Sequence, residues 1–228
     1  MERRVALKSL GGMLAAPAIH SNPTPAAQQP VLRIAHLTDI HLKDEFGAPA
    51  KFVQCLHHVQ QQTPKVDLIL NGGDIVFDMN KENLSSINEQ WQLTRKLQQA
   101  ECSVPVKYCL GNHDIWWYEN SQGQATYGKQ YALDQLHLGK PYYSFTQSGW
   151  KFIVLDSVHL DIDQTWYIGK LGEAQFSWLA AELAATPRTT PVLVLSHIPI
   201  LTASLMIQDD IVNRWQMLGA TCTPIRRK

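Results

Sequence analysis

The feature that most constrains this chain is a set of four short apolar runs, each closed by small, metal-ligating or charged residues. Residues 104–110 lead into Gly111-Asn112-His113-Asp114, 32–37 into Asp39-Ile40-His41, 66–70 into Gly72-Gly73-Asp74, and 192–195 into Ser196-His197. Short apolar runs bounded by Gly and polar residues read as buried strands. Open α/β sheets keep their sites at the carboxyl ends of their strands, so four such tips predict one pocket.

The intervening chain alternates with helical patterns. Phe52, Cys55, Leu56 and Val59 fall at i, i+3, i+4 and i+7, an amphipathic helix facing a sheet, and Thr63-Pro64 ends it. A second helix is expected over 84–100, with Ile87, Trp91, Leu93 and Leu97 apolar, and a third over 173–185. Residues 142–146 and 150–156 read as two strands joined by Gln147-Ser148-Gly149, a hairpin turn by composition. The order βαβ, hairpin, αβ predicts a layered α/β sandwich without internal repeats.

The 20 basic and 20 acidic residues balance; residues 1–29 hold three basic and one acidic, leaving 17 against 19. That charge predicts no basic face, so a nucleic-acid polymer is not an expected partner, whereas a small phosphorylated ligand is compatible. Cys55, Cys102, Cys109 and Cys222 show no C-x-x-C pair and read as small hydrophobes. Residues 1–29 carry Arg3-Arg4, a mildly apolar stretch and Ala16-Pro17-Ala18. They read as a signal peptide of twin-arginine type followed by a linker, which predicts an exported protein, periplasmic or extracellular. No apolar run reaches the roughly 18 residues of a membrane helix.

Carboxylates, an amide and imidazoles at converging strand tips make a donor set suited to borderline transition metals. The ordered set D-x-H, G-G-D, G-N-H-D, S-H-x-P resembles the calcineurin-like metallophosphoesterase family. That resemblance implies an α/β/β/α sandwich and a metal-dependent phosphoesterase. Two divalent or trivalent ions (Mn, Fe or Zn) would present a bridging hydroxide to a phosphomonoester or phosphodiester. It implies Asp39 and His41 on the first metal, Asp74 bridging, and Asn112 and His197 on the second. It further implies His113 at the leaving-group or phosphoryl oxygen, with Asp114 orienting its ring. His36, His57, His58, His137 and His159 match no motif position and are read as non-ligands; His20 goes with the signal region.

Trp116-Trp117-Tyr118 could wall the metals or pack a loop onto the core, and Asp161, Asp163 and Trp166 could shape the substrate mouth. The family pattern ends with a G-H-x-H tetrad that residues 198–228 do not contain. The expectation is therefore a domain over 30–228 that is C-terminally incomplete, without its closing strands and one imidazole per metal. The competing reading is a non-catalytic remnant that binds a phosphorylated ligand or a partner.

Overall fold

The computed structural model describes residues 31–80, 82–117, 123–160 and 167–200. The signal-peptide reading of residues 1–29, Tyr118, Asp161, Asp163, Trp166 and the segment from residue 201 onward lie outside the described residues.

The first sheet is parallel, in the order β1 (Ile34–Leu37), β2 (Leu68–Asn71), β3 (Val106–Tyr108). Its register places Leu37 opposite Asn71 and Asn71 opposite Tyr108, so the three carboxyl ends finish level. The run over 104–110 yields only three ladder residues, because Pro105 has no N–H to give; its carbonyl instead accepts from Ile69. β4 (Tyr143–Gln147) and β5 (Trp150–Val154) form the expected hairpin, with Ser148 and Gly149 both left-handed at its turn. β5 then pairs in parallel with β8 (Val192–Leu195), completing the second sheet.

The sheets face each other across Leu68 and Leu70 on one side and Phe152, Val154 and Leu195 on the other. Tyr143 stitches them, donating to the Tyr108 carbonyl at 2.8 Å and accepting from the Tyr108 N–H at 3.0 Å. On the outer face of the first sheet lie α1 (Ala48–Gln60), which buries Phe52, Leu56 and Val59, and α2 (Leu84–Glu101). Asn83 caps α2 by accepting from the Ser86 N–H. α4 (Glu173–Ala185) covers the second sheet, with Glu182 bonded to Ser144 and Gln175 bonded twice to the Asp156 backbone. The layering is thus α/β/β/α, as the motif order implied.

Two features were not read from the sequence. α3 (Gln130–Leu136) packs Tyr131, Ala132 and Leu133 into a side core with Trp91 and Trp116. β6 (Val158–Leu160) and β7 (Tyr167–Gly169) form a short antiparallel pair on either side of residues 161–166. Trp116 is 1% exposed and donates to the Glu82 carbonyl, so of its two open roles it takes the packing one. Cys109 is buried between the sheets, whereas Cys55 and Cys102 are only partly covered. Val192 and Val194 of β8 and Phe176 and Leu183 of α4 are exposed.

Candidate metal centre

The level strand ends deliver their loops side by side. Beyond β1 and β2 the pairing continues as a narrow ladder: Asp39 N–H to Gly73 O at 3.0 Å, His41 N–H to Asp74 O at 3.0 Å, and Leu42 N–H to Ile75 O at 3.1 Å. Within it Asp39, His41 and Asp74 are left-handed, with φ of 55°, 47° and 52°. Such backbone costs a non-glycine residue on the order of 1–3 kcal/mol and persists where surroundings over-determine it, typically at functional sites. Here it turns three side chains toward one another. Gly73 (φ 101°) needs its missing side chain, because a Cβ would sit 2.5 Å from the Gly111 nitrogen and 2.8 Å from His197 Nδ1.

Two imidazoles are aimed at one carboxylate oxygen. His41 donates its Nδ1–H to the Phe77 carbonyl at 3.2 Å, and His197 donates its own to the Gly72 carbonyl at 2.8 Å. A carbonyl only accepts, so each neutral ring presents the lone pair of Nε2. Those Nε2 atoms lie 3.5 Å and 3.6 Å from the same Asp74 Oδ2, and His197 Nε2 also lies 3.0 Å from Asn112 Oδ1. Lone pairs converging on lone pairs repel unless a cation lies among them, so the donor set fits metal ions. A backbone carbonyl fixing the tautomer is the usual support of a ligating histidine. Asp74 is 3% exposed, and its Oδ1 accepts the His113 N–H at 2.8 Å, so the carboxylate cannot swing away.

The donor atoms fall into two groups within 4.8 Å, His41 with Asp74 and His113, and Asp39 with Asp74 and His197. Asp74 is common to both. Asp39 lies 4.0 Å from His41 and is the most open of the set. All six sequence-expected residues, Asp39, His41, Asp74, Asn112, His113 and His197, therefore come together.

Asp114 behaves differently from the expectation. It is fully buried beneath the site and spends its carboxylate on the N–H groups of Ile75, Val76 and Gly111, locking the second and third tips together. Burial pushes it up to about 6 against those three bonds. The carboxylate facing the His113 ring is that of Asp78, with Oδ1 3.5 Å from Nδ1 in an ion-pair contact longer than a good hydrogen bond. The Asp78 carboxylate beside the ring raises the His113 pKa despite burial. Burial would raise Asp78 too, but His113 and Asn80 outweigh it and leave that carboxyl lowered. Gln90 fixes Asp78 from behind, accepting its N–H at 3.0 Å and donating to its carbonyl at 2.9 Å. Sequence reading missed Asp78, which sits four residues past Asp74 in no motif. It also missed Tyr167, whose hydroxyl pKa is raised by burial and then by the charge of Asp74.

A family model described as calcineurin-like phosphoesterase matches residues 32–219. The chain is 25% identical over 205 residues to the 3′,5′-cyclic adenosine monophosphate phosphodiesterase CpdA of Haemophilus influenzae, covering 87% of this chain and 67% of that protein. It is 26% identical over 199 residues to a 3′,5′-cyclic-nucleotide phosphodiesterase of Nostoc, covering 83% and 65%. The chain thus spans about two thirds of the length of these curated relatives. Among solved structures it is similar to phosphopantetheinyl hydrolase from Mycobacterium tuberculosis, 12% identical, with a TM-score of 0.46 over 84% of this chain and 72% of that one.

Proposed function

The chain belongs to the calcineurin-like phosphoesterase family, and on that premise we propose that it is a metal-dependent hydrolase of small phosphodiesters, with cyclic nucleotides the first class to test. The observation that carries the reading is Asp74 Oδ2 shared between the Nε2 atoms of His41 and His197. Two metal ions held there, manganese, iron or zinc by the donor chemistry, would neutralise phosphate charge and lower the pKa of a water nucleophile. Asp74 would serve both ions, with Asp39 and His41 completing one side and Asn112 and His197 the other.

The residues of the chain do the rest. The carbonyls of Phe77 and Gly72 hold the two imidazoles in the tautomer that ligates. Asp78 keeps a proton on His113 Nδ1 and favours the charged ring, which then faces a phosphoryl or leaving-group oxygen as donor. The buried Asp114 clamps the Gly111 turn against residues 75 and 76, so that Asn112 and His113 arrive in register. Among the described residues no helix is long and apolar enough to cross a membrane. The Arg3-Arg4 start supports export of the folded protein; a reporter fused to residues 1–29 and followed with and without twin-arginine translocation tests it.

The deciding experiment strips the protein of metal, adds Mn²⁺, and follows metal content together with turnover of bis(p-nitrophenyl) phosphate and cyclic AMP. Two ions per chain with Mn²⁺-dependent release of product is the expected result. Metal binding without turnover would favour a phosphate-binding remnant instead.

A further inference from the structure

Phe77 stands out among the exposed apolar residues because of where it lies. Its side chain is partly exposed, 39% of the residue being accessible, and its ring meets that of His41 edge-on at 6.4 Å between centroids. The His41 ring in turn meets His113 at 4.7 Å. A partly exposed aromatic ring is thereby continuous with the imidazoles of His41 and His113. Its backbone is fixed at both polar atoms, the N–H donating to Leu42 O at 3.2 Å and the carbonyl accepting from His41. Over one face of the ring the Lys43 ammonium lies 5.1 Å from the centroid and is tethered to Glu45 at 3.2 Å, which leaves the opposite face for a ligand. A cation over the ring braces it and brings positive charge to the same lip. Beyond Lys43 lies a groove of about 430 Å³ between residues 43–45 and the α2 residues Ser86, Gln90 and Lys96.

A scattered exposed phenylalanine would need no explanation. A braced ring beside metal-ligating side chains has one that its position supplies. We propose that Phe77, with Lys43 at its side, is the specificity lip of the site and stacks a planar, aromatic organic group of the phosphoester substrate. The inference rests on the function proposed above and narrows its substrate class. A rigid aromatic anchor loses little rotamer freedom on binding, so the contact favours planar groups over alkyl groups of similar size.

The test uses the full chain loaded with Mn²⁺ and two hydrolysis-resistant probes, phenylphosphonate and methylphosphonate, bound by calorimetry. The wild type should bind the phenyl probe more tightly. Phe77→Leu should weaken that probe by roughly three- to tenfold, the range of one aromatic contact, and leave methylphosphonate unchanged. Phe77→Trp, which keeps a planar face, should retain the preference. With esters, Phe77→Leu should raise KM for a phenyl ester by more than it raises KM for a methyl ester. Equal loss of both probes, a preference that survives Phe77→Leu, or no preference in the wild type overturns the proposal. Turnover of esters by a wild type without aryl preference would sink the lip and leave the hydrolase standing. An aryl preference without turnover would do the reverse.

Discussion

Gly111 and Asp74 stand so close that a Cβ on Gly111 would lie 2.1 Å from Asp74 Oδ1 and 2.2 Å from its backbone nitrogen. The Gly111 φ of −98° is open to any residue, so space alone makes the position glycine. Gly111→Ala should therefore displace the carboxylate shared by both metal groups, lowering stability by about 1–3 kcal/mol, as overpacking does, and weakening Mn²⁺ binding with it. Gly139→Ala, where a Cβ meets nothing within 4 Å, should stay within about 0.5 kcal/mol of wild type. Denaturant melts with and without Mn²⁺ compare the two; a neutral Gly111→Ala would mean that the loops yield where the packing says they cannot.

Asp74 belongs to both donor groups and Asp39 to one. Asp74→Ala should strip both ions, whereas Asp39→Ala should weaken chiefly one, because Asp39 is half open to solvent and touches the site from its rim. Metal analysis of the purified variants reads this directly. Unchanged stoichiometry in Asp74→Ala would remove the bridging assignment and leave the convergence of His41 and His197 without a purpose.

What was legible in advance follows from what a sequence encodes locally. Apolar runs ending in glycine and polar residues marked the strand tips, and the 173–185 helix was read to its observed ends. The six converging side chains were legible because each sits immediately after a strand. Asp78 was not, because its meeting with His113 depends on how the loop after Asp74 folds back under Gln90, a contact spanning 35 residues that no spacing announces. The left-handed backbone of Asp39, His41 and Asp74 was equally hidden: Asp and His visit that region more readily than most residues but rarely, and here the ladder between the two loops imposes it. Asp114 was placed in the right motif with the wrong partner. Its burial and its three backbone donors emerge only once residues 75, 76 and 111 are neighbours. α3 and the β6–β7 pair are seven and three residues long, too short for periodicity to show.

Asp78 and His113 separate support of the ring from ligation. His113→Ala should keep its metal and lose roughly 10²–10⁴ in rate, the worth of a proton donor or charge stabiliser. Asp78→Asn should also keep its metal and lose about 10–100-fold, as changes behind a functional imidazole do. The decrease should be smaller for esters with very good leaving groups if His113 supplies a proton, and undiminished if it stabilises phosphoryl charge. Loss of metal from His113→Ala would make the ring a ligand, which its grouping with His41 and Asp74 permits on distance alone.

Acid should loosen the α4 side of the sandwich first. Glu182 joins α4 to the second sheet, accepting from Ser144 Oγ at 2.7 Å and lying 2.5 Å from Lys151 Nζ. The Lys151 and Ser144 bonds hold its carboxyl below the usual 4.5. A carboxyl depressed in the folded state adds stability above its unfolded pKa, and that contribution disappears as pH falls through the lower folded value. The pair is partly open to solvent, so its worth is on the order of 0.5 kcal/mol at low salt and less at high salt. Glu182→Gln should accordingly be less stable than wild type at pH 7 by about that amount, and the gap should close as pH falls through the lowered value of the folded carboxyl, below which both chains carry a neutral group at this position. Denaturant midpoints across that range, repeated in 1 M salt, measure it. A gap that persists in acid would show that Glu182 holds α4 through its shape and its bond to Ser144 and not through its charge.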